Sequence, residues 1–213
     1  MWGGLLVACA VLVTLVTTAG SAPDGRVRVL QMNLCNSGLA GCYTGRAVAT
    51  AVEVIRAQTP DVVTLNEVCR ADVAVLERAL GAGTSAFRPA MDRRTGEAVR
   101  CVDGEPYGIA VLTRRPATLT TGGIYPTQNP ADTEQRAWLC LDTTAFAACT
   151  THLDNGDAAV ARAQCDYLHV VVSPQFSITA ERRIDMQATT DHPGLLVTLA
   201  PLQPWTAAAA SVV

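Results

Sequence analysis

Apolar and polar residues alternate along Arg26-Val-Arg-Val-Leu-Gln-Met-Asn33 and then give way to Asn-Leu-Cys-Asn-Ser-Gly, the pattern of a strand running into a turn. The spacing changes at once: Val48, Ala51, Val52 and Ile55 recur at helical intervals, so a helix is predicted over Gly45–Gln58, stopped by Thr59-Pro60. A short apolar strand follows over Asp61–Asn66 with Glu67 at its end, then a second helix over Ala71–Leu80, ended by Gly81 and Gly83. Gly108–Thr113 reads as a strand closed by Arg114-Arg115-Pro116. Trp138–Leu141 and Ala145–His152 read as a hairpin around Asp142, which sets Cys140 across from Cys149. Asp157–Leu168 is predicted helical, and Val170–Val172 starts another strand. Two further strands, Arg183–Met186 and Leu195–Leu199, flank Thr189–Pro193. Strands alternate with helices early and pair with strands later, the order expected of a layered α/β sandwich.

Composition bounds this picture. With 213 residues, 49% hydrophobic and 16% charged, the chain is long enough for one domain with a sizeable core, and disordered or collagen-like classes are excluded. The net charge is −3 and there is no basic run, so the electrostatic footprint of tight nonspecific nucleic-acid binding is absent. The start of the chain is different in kind. Leu5–Val16 is apolar and uncharged, and Gly20-Ser21-Ala22 precedes Pro23, as in a secretory signal peptide cleaved after about Ala22. A signal anchor over Gly3–Ala22 is the alternative, and a lipoprotein reading at Cys9 is a poorer one. The expected organisation is therefore a leader or anchor over 1–25, a domain over 26–200 and a loosely held tail over 201–213.

The cysteines fit export. Beyond Cys9 none falls in a C-x-x-C pair or beside a histidine, so disulfides in an oxidising compartment are the better reading, with buried free thiols as the alternative. The expected pairs are Cys35–Cys42, closing a short turn-rich loop, Cys69–Cys101, tying the segment after Glu67 to a loop, and Cys140–Cys149, stapling the hairpin. Cys165 is left over.

Candidate chemistry lies where the apolar strands end. Asn33, Glu67, His152, Asp191 and His192 each stand at or just beyond such a strand, and strand ends of a sheet share one rim, where side chains distant in sequence meet in a cleft. Oxygen donors such as Glu67, Asp191 and the Asn33 amide suit a hard cation, Mg²⁺ with Mn²⁺ as a substitute. The two histidines suit acid/base work and stabilisation of charge on a phosphate. Each residue also has a bland reading as a turn residue or a helix-terminal charge.

Their order is more specific. Strand-Asn33, T-P-D-V-V-T-L-N-E-V, Y-G-I-A-V-L-T-R, T-H-L, R-I-D and T-D-H-P-G-L-L-V-T-L together resemble the endonuclease/exonuclease/phosphatase superfamily across Val27–Leu199. The resemblance implies a four-layer αββα sandwich like that of deoxyribonuclease I. It implies that Glu67 holds the metal, with Asn33 in its ligand or phosphate shell and Asp191 as a metal-side carboxylate. By the same resemblance His192 faces the scissile phosphate, His152 is a second phosphate-facing histidine, and Asp185 orients His192. One motif of the superfamily is missing. The G-D-x-N strand that positions the attacking water is absent between T-H-L and R-I-D, so part of the second half is expected to be lost around Ser173-Pro174. The implied function is a secreted, Mg²⁺-dependent phosphoric-ester hydrolase, impaired by that loss. Its substrate class is nucleic acid, phospholipid or inositol phosphate, met without a stable nucleic-acid complex. The alternative is a non-catalytic, disulfide-stapled extracellular binding domain.

Overall fold

The computed structural model describes residues 25–81, 83–167 and 176–202. The leader, the strand expected at Val170–Val172, the Ser173-Pro174 junction, the side chain of Cys165 and the end of the tail lie outside the described residues.

The chain begins with β1 (Val27–Asn33), α1 (Ala47–Gln58), β2 (Val62–Cys69) and α2 (Arg70–Leu80). The first helix starts two residues later than expected because Gly45 has φ +70, outside the helical region. Its end is as expected: Thr59 turns left-handed and its N–H closes on the Ile55 carbonyl. β3 (Thr84–Pro89), β4 (Met91–Asp92), β5 (Tyr107–Thr113), β6 (Ala117–Ile124) and β7 (Glu134–Gln135) follow. The hairpin is β8 (Ala137–Thr143) and β9 (Ala147–Thr151), and the chain continues through α3 (Ala158–Tyr167), β10 (Phe176–Ile184) and β11 (Gly194–Pro201).

Two sheets carry the fold. The larger has the order β10-β11-β1-β2-β5-β3, with β1 and β2 parallel and its other neighbours antiparallel; the smaller is β6-β8-β9. Its central strands are buried on both faces, which is why β5 reads as a continuous apolar run and every one of its residues is buried. Successive side chains point to opposite faces and divide the core in two. Leu30, Met32, Val63, Leu65, Ala110 and Leu112 pack under α1 and α2, against Ala51, Ile55, Val73 and Leu76. Val27, Val62, Ile109 and Val111 face Ala137, Leu139, Leu141 and Ala148 of the small sheet. Helices, large sheet and small sheet are thus stacked as an α/β sandwich. α3 is attached beside the small sheet through Gln164, fully buried, which accepts from the Asp154 N–H and donates to the Thr127 carbonyl.

The structure joins the three expected cysteine pairs, with Cα separations of 6.0 Å for Cys35–Cys42, 6.2 Å for Cys69–Cys101 and 4.1 Å for Cys140–Cys149. The last two residues stand directly opposite each other in the β8/β9 ladder. No helix among the described residues is long and apolar enough to cross a membrane.

One strand boundary differs in a way that matters below. The strand expected at Arg183–Met186 instead runs Phe176–Ile184, pairing with β11 along its length, so Asp185 lies outside the ladder in the connection to β11.

Candidate active site

The site is built where β1 and β2 end, and a β-bulge makes it. Leu65 pairs with Ala110 and Val68 with Gly108, so Asn66 and Glu67 together oppose the single residue Ile109. In a regular strand the alternation from Val63 and Leu65 would send Glu67 into the helix-side core. The bulge, with Glu67 at φ +57, turns both Asn66 and Glu67 toward the small sheet and returns Val68 to the helix side. A left-handed backbone at a glutamate is uncommon and costs energy that the surrounding bonds must meet. Here the backbone is held at both ends: the N–H groups of Leu34 and Asn36 donate to the carbonyls of Asn66 and Glu67, each at 3.0 Å.

Four side chains converge there. Asn33, the last residue of β1, donates from Nδ2 to Glu67 Oε1 at 2.7 Å, and its own oxygen accepts the Cys35 N–H. His152 follows β9 on the other sheet, and its Nε2 lies 3.3 Å from the same Glu67 Oε1. Asn66 locks the two sheets: its Nδ2 donates to the Thr151 carbonyl at 3.1 Å and its Oδ1 accepts from Thr150 Oγ1 at 3.2 Å. Behind His152 lies Arg136, buried, with its Nη1 3.0 Å from His152 Nδ1 and 2.9 Å from Glu134 Oε1, and its Nη2 2.9 Å from Asp132.

These contacts set the charges. Burial works against the Glu67 carboxylate, but the bonds from His152 and Asn33, helped by the charges of His152 and His192, hold its pKa below the ordinary value. Burial also works against a charged His152, yet its bonds to Glu134 and Glu67 outweigh both that and the opposing Arg136 and hold its pKa above the ordinary value.

The remaining predicted residues occupy the β10–β11 connection. That segment is fastened to the rim by Thr190 Oγ1, which donates to the Asn33 carbonyl at 3.0 Å, and by Thr44 Oγ1, which donates to the Thr189 carbonyl at 2.7 Å. His192 and Asp191 are each 54% exposed and joined to one another, Nδ1 to Oδ1, at 2.7 Å. Asp185 is exposed beyond the end of β10 and accepts the Gln187 N–H in a turn. Asp191 is turned to His192 and lies within 4.8 Å of the Cys35 and Cys42 sulfurs. The rim is also shared by two sheets, with Asn33 and Glu67 on the large one and His152 after the small one.

Sequence reasoning missed Asn66, Arg136 and Glu134. A polar residue at an inward position of an apolar strand was a usable signal for Asn66. Glu134 opens the two-residue β7 and Arg136 lies between β7 and β8, and neither gave one. Asp154 and Asn155, the acceptors nearest His152 in sequence, do not replace the missing motif: Asp154 is buried and accepts the N–H groups of Gly156 and Asp157, and Asn155 is exposed.

A model of the endonuclease/exonuclease/phosphatase family matches residues 31–192, the span that holds the whole rim. The chain belongs to this family. Solved structures of the same fold include the endonuclease/exonuclease/phosphatase from Beutenbergia cavernae DSM 12333, 19% identical with a TM-score of 0.61, covering 83% of this chain and 72% of that one. The human Nocturnin catalytic domain with bound sulfate is 14% identical with a TM-score of 0.58, over 83% of this chain and 93% of that one. D. rerio TDP2 complexed with a single-strand DNA product is 11% identical with a TM-score of 0.53, over 83% and 99%. No curated protein matches the sequence.

The Asn66 clamp carries a direct prediction for a member of this family. Asn66→Ala removes both inter-sheet bonds and leaves the Thr150 hydroxyl without its acceptor, so it is expected to cost about 1–3 kcal/mol by denaturant unfolding. Thr150→Val, which removes only one bond and leaves the Asn66 donor paired, should cost clearly less. Equal costs would show that the amide does not hold the sheets.

Proposed function

We propose that this family member is an exported phosphoric-ester binding domain with a hard divalent cation, Mg²⁺ or Mn²⁺, at Glu67, and with hydrolysis impaired by loss of the G-D-x-N residues. The observation that carries this reading is the single carboxylate oxygen of Glu67, faced from two sheets by Asn33 and His152. The donor set suits the cation. Glu67 is held ionised and only 17% of its side chain is exposed, and a hard cation of this kind takes one or two carboxylates and fills its remaining positions with water and substrate phosphate. Soft metals are not favoured, because the cysteines nearest the rim are bridged.

When bound, the cation polarises a phosphoryl oxygen and offsets its charge. Asn33 fixes the carboxylate that holds it. His152, whose pKa is held above the ordinary value by its bonds to Glu134 and Glu67, would offer its Nε2 side toward a phosphate oxygen beside Glu67. His192, with Nδ1 engaged by Asp191, has Nε2 left for proton exchange with solvent or a leaving group. The G-D-x-N residues that would aim the attacking water are absent from the sequence, and one preorganised polar group of that kind is typically worth ~10²–10³ in rate. The three bridges suit an oxidising environment and support export.

The test pairs calorimetric titration of Mg²⁺ or Mn²⁺ with an assay of bis-p-nitrophenyl phosphate on one oxidised preparation. Cation binding with little turnover is expected. Brisk cation-dependent hydrolysis would overturn the impairment, and no binding at all would favour a non-catalytic extracellular domain.

A further inference from the structure

His152 and His192 each meet a charged neighbour at Nδ1, but the two neighbours are opposite in kind. At His192 it is the Asp191 carboxylate, 2.7 Å away, which when ionised only accepts, so Nδ1 carries the proton and Nε2 keeps its lone pair. At His152 it is the Arg136 guanidinium, whose Nη1 lies 3.0 Å from Nδ1. A guanidinium has donors, no acceptor, and a charge it does not give up. The contact is a hydrogen bond only where Nδ1 offers a lone pair, which puts the single proton of the neutral ring on Nε2.

The partners on both sides of the ring fit that assignment. Arg136 Nη1 has two N–H groups: one donates to Glu134 Oε1 at 2.9 Å, and the other is left for His152 Nδ1. Its Nη2 donates to Asp132 at 2.9 Å, so the buried guanidinium is held by carboxylates on two sides. The rival partner for Nδ1 is Glu134 Oε1, which is farther away at 3.5 Å and already accepts from Arg136. Across the ring, Nε2 faces an acceptor, Glu67 Oε1, at 3.3 Å. A proton on Nε2 lies between the two atoms, whereas a lone pair there would face a carboxylate with nothing between them. The raised pKa of His152 concerns the gain of a second proton; which nitrogen holds the one proton of the neutral ring is set by the bond the other nitrogen makes.

We propose that Arg136 is a positioning residue that fixes neutral His152 as the Nε2–H tautomer, so that His152 serves the rim as a hydrogen-bond donor alone and proton exchange falls to His192. The tautomer stands on the geometry, and the division of labour rests on the phosphoric-ester reading above.

The tautomer is read by long-range ¹H–¹⁵N NMR on the oxidised full chain without cation or phosphate, at about pH 9, well above the usual histidine range. The His152 signals are identified by their absence from His152→Gln. A protonated Nε2 and a bare Nδ1 are expected. A proton on Nδ1, alone or together with one on Nε2, would overturn the proposal. Arg136→Met should move the proton to Nδ1, because Glu134 is then the partner left on that side, and an unchanged tautomer in the folded variant would deny Arg136 its role. Glu134→Gln keeps the test open if the arginine variant does not fold: the pattern should persist, and a switch would show that Glu134 sets it instead. Calorimetry with inorganic phosphate and Mg²⁺ tests the donor role separately. His152→Ala should weaken phosphate binding about tenfold or more, and His152→Gln, which returns an N–H near the Nε2 position and carries no exchangeable charge, should recover most of the loss. Equal losses in the two variants would overturn the donor-only role. If the tautomer is as expected but the wild-type protein binds no phosphate, the phosphoric-ester reading fails and the assignment of Arg136 stands.

Discussion

Replacing Glu67 by Ala or Gln is expected to remove divalent-cation binding from this protein, with the affinity falling by more than the ~10–100-fold typical when only an outer-shell partner of a ligand is lost. Glu67 is the carboxylate that Asn33 and His152 hold in place at the rim. Asp191 provides the internal comparison, because it is half exposed and bonded to His192. Asp191→Ala should change cation affinity little, and should act on whatever turnover remains through the freed His192 imidazole. Calorimetry on the three variants separates the cases. A loss in Asp191→Ala as large as in Glu67→Ala would mean that the β10–β11 connection swings inward when the cation binds, and that the pairing of Asp191 with His192 describes only the cation-free protein. Intact binding in Glu67→Gln would place the cation elsewhere and remove the basis of the proposed site.

The largest stability effect should come from the Cys69–Cys101 bridge. It closes a 32-residue separation, and loop-closure entropy assigns such a cross-link roughly 3–4 kcal/mol, against roughly 2–3 kcal/mol for the bridges spanning 7 and 9 residues. In a domain of this size that corresponds to a fall of about 10 °C in Tm for the Cys69→Ser/Cys101→Ser double variant. Both cysteines are buried, in a small cluster with Ala90 and Tyr107, so the serines would also strand hydroxyls in an apolar setting. Cys69 is two residues from Glu67, and the strand end that carries the candidate ligand should loosen with it. Thermal unfolding of the three double variants should rank Cys69/Cys101 as the costliest. A cost at Cys35/Cys42 equal to or above it would show that the rim loop, and not the length of the closed loop, governs stability.

How far each feature was legible in the sequence follows from how local its cause is. The helices and the central strands were legible, since α1, α2, β1, β2 and β5 bury continuous or periodic apolar sets that the pattern reports directly. β3 and β6 were not. Each is an edge strand, one ending in Pro89 and the other carrying Gly122 and Gly123 with most of its side chains outside the core, so neither leaves a clean alternation. Two of the cysteine pairs were legible because they close a short loop and a hairpin.

The candidate site divides along the same line. Its residues stood out by type and by position at strand ends, and the order of motifs was enough to identify the family. Where the side chains point was a matter for the tertiary structure. Strict alternation sends Glu67 toward the helices, and it reaches the cleft because pairing with β5 is interrupted by a bulge that no local pattern announces. Asp185 stands in a turn and Asp191 beside His192 because the pairing of β10 with β11 set where the strand ends. Asn66 and Arg136 acquire their contacts from elements that are distant in sequence. A sequence determines which residues are apolar at which period, and hence the elements; the register between elements is set by packing across the whole core, and it is register that decides which polar side chains meet.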